Sequence, residues 1–149
     1  NTMTARTPWY LILCATLGMF FSGASMIRAE ETRDGVFIHV THGADDPHRL
    51  LMALNMASIM SEDHPVLVYF DIQGIEVVLK DAADLTYKQF PSSRKQLAAL
   101  AQKGVTLMAC PGCLKAADKK AEDLAPGVQV ADKKTFFSFT QGRILTLDY

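Results

Sequence analysis

Two short runs in this chain are apolar on both faces. Val36-Phe-Ile-His-Val-Thr41 and Val66-Leu-Val-Tyr-Phe70 are rich in β-branched and aromatic residues and leave no polar stripe for water. Strands of this kind belong in a sheet that is covered on both sides, the habit of parallel sheets in α/β proteins. Further strands are predicted at residues 105–109, 128–130 and 144–147. Helical spacing is predicted over residues 47–61, 94–103, 110–124 and 133–140, and residues 71–80 read as a loop with a short helix. Strands alternate with helices throughout. The pattern predicts a three-layer α/β/α sandwich around a mainly parallel sheet of about five strands.

The first helix carries two kinds of information. Asp46 followed by Pro47 marks its start, with a carboxylate at the N-cap and a proline where a missing donor costs nothing. Leu50, Leu51, Leu54, Ala57 and Ser58 form one face at helical spacing; Met52, Met56, Ile59 and Met60 form another. A helix that is apolar nearly all round is not a surface helix. The methionine stripe (Met52, Met56, Met60) is therefore expected to meet another polypeptide, either a second copy of the chain or a different subunit.

The chain has 149 residues and a formal net charge of -1. That suffices for one domain with an appendage. A near-neutral balance gives no electrostatic footing for nucleic acid. No G-x-G-x-x-G or P-loop motif is present, so nothing points to a nucleotide or another cofactor. With only 3 cysteines, no disulfide scaffold is implied.

The appendage is residues 1–29. Trp9 to Ile27 is uncharged throughout and of roughly the twenty-residue length that spans a hydrocarbon core. Arg6 precedes it; Arg28, Glu30 and Glu31 follow. The run reads as a membrane anchor or as a signal segment, with Ser22-Gly-Ala24 and Ile27-Arg-Ala29 as small-residue cleavage sites. The basic start favours a bacterial inner-membrane protein whose domain, residues 30–149, faces the periplasm. Cys14 lies within this run, after Leu13 rather than the small residue of a lipid-attachment site.

The chemistry concentrates at Cys110-Pro-Gly-Cys113, which closes the third strand and opens a helix. In open α/β sheets, reactive groups sit at the carboxyl ends of strands. A thiol at a helix N-terminus faces unpaired N–H groups that favour thiolate. The pair suits dithiol/disulfide exchange, with Cys110 attacking and Cys113 resolving, or carriage of a persulfide on Cys110. An inert disulfide or two buried thiols would give the same spacing. A zinc site lacks a second C-x-x-C, so no metal is expected. Haem attachment would need a histidine where Leu114 stands. His42 ends the first strand on the same sheet edge and is a candidate to stabilise the Cys110 thiolate. His39, in mid-strand, reads as a hydrogen-bonded core histidine.

Three stretches then point to a family. Ile38-His-Val-Thr-His-Gly-Ala-Asp-Asp-Pro-His-Arg-Leu-Leu-Met-Ala-Leu-Asn-Met-Ala57, Gly74-Ile-Glu-Val-Val78 and Leu100-Ala-Gln-Lys-Gly-Val-Thr-Leu-Met-Ala-Cys110 resemble the DsrE/DsrF-like family. The resemblance implies a compact α/β/α domain that assembles into trimers or hexamers. It also implies, for sulfur-relay members, a cysteine after this strand that accepts and passes persulfide sulfur; the matching position is Cys110. Those members are soluble cytoplasmic proteins without Pro111-Gly112-Cys113 after the cysteine. Two functions are therefore expected to compete: a membrane-tethered protein that handles sulfur or thiols through Cys110, and a non-catalytic accessory subunit of a larger membrane complex.

Overall fold

The computed structural model describes residues 32–149. The apolar run, Cys14 and the anchor or signal expected over residues 1–29 lie outside the described residues. Among the described residues, no helix is long and apolar enough to cross a membrane.

Among the described residues the strands are β1 (Gly35–Val40), β2 (Val66–Phe70), β3 (Thr106–Ala109), β4 (Val128–Val130) and β5 (Ile144–Asp148). They lie in the order β4-β3-β2-β1-β5, and every neighbouring pair is parallel. The chain steps outward from β1 to β4, then returns in one connection to the far side of β1. Parallel crossovers are right-handed. Steps taken in one direction therefore place their helices on one face, and the single return step places its helix on the other. Helices α1 (Pro47–Met60) and α2 (Ser93–Gln102) form the thick layer, and α4 (Lys133–Ser138) forms the thin one. This is the three-layer sandwich that the alternating pattern predicts.

Strand parity sorts the side chains accordingly. Val36, Ile38, Val40, Val68, Phe70 and Leu107 enter the main core with Leu50, Leu51, Leu54 and Ala57 of α1 and Leu97 and Leu100 of α2. The α1 start is as expected: Asp46 accepts the Arg49 N–H at 3.0 Å, with Pro47 in the first turn. Met52, Met56 and Met60 are half-buried, and the last two pack partly against the core. On the opposite face Phe37, Tyr69 and Phe136 form an aromatic cluster, with Phe136 5.1 Å from the Tyr69 ring and 6.0 Å from Phe37. Helix α4 has no buried residue, and Phe137 is 76% exposed. A cavity of about 560 Å3 opens beside this cluster and reaches Pro111.

Two local features place the site. A 3-10 helix (Ile72–Val78) crosses the end of β1 so closely that a Cβ on Gly74 would run into the Val40 carbonyl oxygen. Glycine is required there for approach rather than for φ. The helix expected over residues 110–124 is shorter: α3 (Pro111–Ala116) ends at Ala117, and Asp118 turns into the left-handed region with φ 53. Between Leu114 and Leu124 the sequence offers no apolar side chain larger than alanine, so nothing ties a continued helix to the core.

Candidate functional site

The site lies where β2 and β3 end side by side. Cys110 follows β3 and donates its N–H to the Phe70 carbonyl at 2.9 Å, which continues the sheet register one residue past the strand. It is also the N-cap of α3: its Sγ accepts the Cys113 N–H at 3.4 Å. The Cys113 Sγ in turn accepts the Ile72 N–H at 3.2 Å, from the start of the 3-10 helix. Both thiols are free and half-buried. The structure thus brings Cys110 and Cys113 together at the carboxyl edge, as the sequence predicts.

Their surroundings push the two thiols apart in acidity. Burial raises the Cys110 thiol, but the Tyr69 hydroxyl, the Cys113 and Gly112 N–H groups and the Cys113 thiol outweigh it, and its pKa falls below the usual thiol value. Burial also raises Cys113; the Ile72 N–H opposes this only in part, while Cys110 and Asp71 add to it, so the net shift is upward. Tyr69 is held protonated, first by burial and then by the neighbouring Cys110. One thiolate is thus favoured, with the Cys113 N–H donated to its Sγ and the Tyr69 hydroxyl and Cys113 thiol beside it. Since α3 has only 6 residues, this preference comes from specific donors rather than from a long helix dipole.

His42 is placed differently. Its Nδ1 lies 2.5 Å from Asp45 Oδ2, and its Nε2 accepts from Arg49 at 3.2 Å. Both ring nitrogens are used within its own loop and the start of α1, and no hydrogen bond joins it to either cysteine. His39 stands nearer the chemistry. Its Nδ1 is 3.0 Å from Asp148 Oδ1, and its Nε2 is 2.9 Å from Asp71 Oδ2. The second contact is close enough for an ion pair, and among the described residues His39 Nε2 has no hydrogen-bond partner. The His39 ring also stacks beside Tyr69 at 5.8 Å. Among the described residues, no group of three or more His, Cys, Asp or Glu side chains is arranged to hold a metal ion.

Burial opposes the His39 charge, but Asp71 and Asp148 more than offset it, and its pKa rises above the ordinary 6.5. A folded-state value above the unfolded one stabilises the fold fully below about pH 6.5, and the gain is lost as pH rises through the folded value. Urea midpoints measured from pH 5.5 to 8.5 should therefore fall with rising pH in wild type. In His39→Gln this component of the slope should vanish; an identical slope in both proteins would show that folding leaves the His39 pKa at its unfolded value.

Tyr69, Asp71 and His39 complete the site, and sequence spacing alone does not show it. The signal available was a polar-tipped residue in an otherwise apolar strand (His39 and Tyr69), paired in register as β1 and β2 align.

The comparisons with known proteins agree with this architecture. A family model described as the DsrE/DsrF-like family matches residues 34–142. Among solved structures, the ychN protein from E. coli is similar, with a TM-score of 0.59 and 13% identity over 76% of this chain and 99% of that one. MTH1491 from Methanobacterium thermoautotrophicum, a protein of unknown function, is similar with a TM-score of 0.53 and 18% identity over 77% and 99%. At these identities the two structures show the fold alone. No curated protein matches. The family match spans β1 to the turn before β5 and includes both cysteines, and on that extent the chain belongs to the DsrE/DsrF-like family.

Proposed function

We propose that the domain handles sulfur or thiols through Cys110, with Cys113 as its resolving partner. The observation that carries this reading is the opposite displacement of the two thiols, one towards thiolate and its neighbour towards thiol. Paired groups driven apart in this way divide nucleophile from proton donor. The family match, drawn from a family associated with sulfur relay, supports the same chemistry.

In loading, the Cys110 thiolate attacks the outer sulfur of a donor persulfide RS–SH. The bond from Cys110 to that sulfur forms, the RS–S bond breaks, RS⁻ leaves, and Cys110–S–SH remains. In release, Cys113 attacks the Cys110 sulfur, hydrosulfide leaves, and the two cysteines become a disulfide that an external thiol must reduce. Exchange with a disulfide RS–SR follows the same two steps with RS⁻ as each leaving group. Alkylation rate against pH, in the reduced protein and in Cys113→Ser, tests the assignment. Cys110 should be the faster thiol, with a midpoint below about 8.5. A midpoint at or above that value, with equal rates for both cysteines, would leave the pair structural.

The apolar run Trp9 to Ile27 supports a tether in the bacterial inner membrane, with the domain in the periplasm. Full-length protein should sediment with membranes and need detergent for release, and protease added to spheroplasts should digest the domain. Recovery in a detergent-free soluble fraction would end this reading. A second role, as an accessory subunit or homo-oligomer, is favoured by the half-buried Met52, Met56 and Met60 and by the exposed Phe137, Ile144 and Leu145. Native mass spectrometry should then give a trimer, a hexamer or a mixed complex. A monomer at micromolar concentration would remove it.

A further inference from the structure

The dithiol chemistry leaves one neighbouring group unused. Asp71 immediately precedes Ile72, whose N–H is donated to Cys113 Sγ. Its side chain is only 19% exposed and Oδ2 lies against His39. Its Oδ1 is buried with no hydrogen-bond partner among the described residues. An unpaired buried carboxylate oxygen is costly and is kept where the surroundings hold it in place. Two features do so here. His39 is gripped by Asp148 from the other side, and Ile72 sits at φ 50, a conformation that a β-branched residue adopts only under constraint. The Ile72 side chain is 63% exposed, so core burial is not what the turn achieves. What it achieves is an N–H aimed at the Cys113 sulfur, on the residue that follows Asp71.

The resolving step needs a proton acceptor. Cys113 is held as a thiol, and it must lose its proton as it attacks Cys110. We propose that Asp71 accepts the Cys113 proton during resolution, with His39 and Asp148 acting as positioning residues. This rests on the dithiol reading above. For a loaded Cys110–S–SR, the Cys113–Cys110 sulfur bond forms, the bond to SR breaks, RS⁻ leaves and the proton passes to Asp71. The two cysteines are oxidised to a disulfide and the departing group is reduced to a thiolate. Around Asp71, His39 of β1 meets its Oδ2 and Asp148 of β5 lies on the far side of His39; Tyr69 of β2 and Cys113 at the start of α3 are the other titratable groups near it, with Cys110 next to Cys113.

The test uses the full chain on a Cys14→Ser background, with limiting dithiobis(nitrobenzoate), an aromatic disulfide whose released thiolate is coloured. The first release reports attack by Cys110, and the second reports resolution by Cys113. In wild type the second release should be nearly independent of pH between about 6 and 8, as general-base transfer requires. In Asp71→Asn it should slow about tenfold or more at pH 7 and then rise about tenfold per pH unit, following the thiolate fraction. The first release should stay within about twofold. His39→Gln should slow the second release and spare the first. An unchanged second release in Asp71→Asn, or equal slowing of both, would overturn the proposal. If Asp71→Asn fails to fold, the wild-type profile decides: a tenfold rise per pH unit overturns it, and a flat profile supports it. Absence of the first release in wild type would defeat the dithiol reading itself, and is told apart by that.

Discussion

Phe70→Ala is expected to lower the unfolding free energy by about 3–5 kcal/mol, the range for emptying a buried aromatic site. Phe70 heads the fully buried side chains by volume, and its strand lies at the centre of the sheet between β1 and β3. Its neighbours Val40, Val68 and Ala109 are anchored by ladder hydrogen bonds and cannot move inward without breaking them. The cavity therefore stays open, which places the loss at the upper end of the range. Domains of this size have about 5–15 kcal/mol in all, so the variant should unfold at a markedly lower urea concentration. Because the Phe70 carbonyl holds the Cys110 N–H, the preference for the Cys110 thiolate should weaken as well. A loss under about 1 kcal/mol would mean that the core had closed over the gap.

The second large effect concerns chemistry rather than stability. After incubation with a low-molecular-weight persulfide, Cys113→Ser should gain sulfur mass on Cys110 and wild type should gain it transiently, whereas Cys110→Ser should gain none. A serine hydroxyl in the same cradle stays protonated and cannot attack sulfur at neutral pH. The two single variants should differ in a second respect. Cys113→Ser removes the thiol that expels the sulfur, so its loaded form should persist where wild type empties to a Cys110–Cys113 disulfide. Tyr69→Phe should load more slowly while keeping its fold, since it loses a donor to the thiolate and little apolar packing. Equal loading of Cys110→Ser and wild type would move the reactive thiol elsewhere.

Much of the architecture was legible because burial writes itself into composition. Residues 36–40 and 66–70 have no polar stripe, and a strand with none must lie inside a covered sheet. The dithiol was legible for a related reason, since Cys110 and Cys113 stand at a strand-to-helix junction. The partners of the thiols were not. Tyr69 and Asp71 come near Cys110 and Cys113 only because β2 and β3 are neighbours, and nothing local in residues 66–71 announces that neighbour. His42 looked eligible as a residue at a strand end on the right edge, yet Asp45 and Arg49, both within seven positions of it, occupy its ring nitrogens. Local partners compete with distant ones, and spacing along the chain cannot rank them. Helix α3 stops short of Leu124 because no core-facing residue stands between Leu114 and Leu124.

The place of β5 has a consequence for how the protein is made. Its hydrogen-bonded neighbour is β1, so the first and last strands of the sheet are partners across 109 positions, as from His39 to Asp148. During synthesis, β1 to β4 can assemble from the N-terminal side as they appear, each added strand covering the edge of the one before. The outer edge of β1 has no such successor and stays unpaired until residues 144–148 leave the ribosome. An unpaired strand edge templates association with other chains, so the nascent domain is most exposed to misassembly just before completion. The same delay applies to His39, which receives its Asp148 partner only with the last strand. The thiols are therefore in place before the charged cluster behind them is closed.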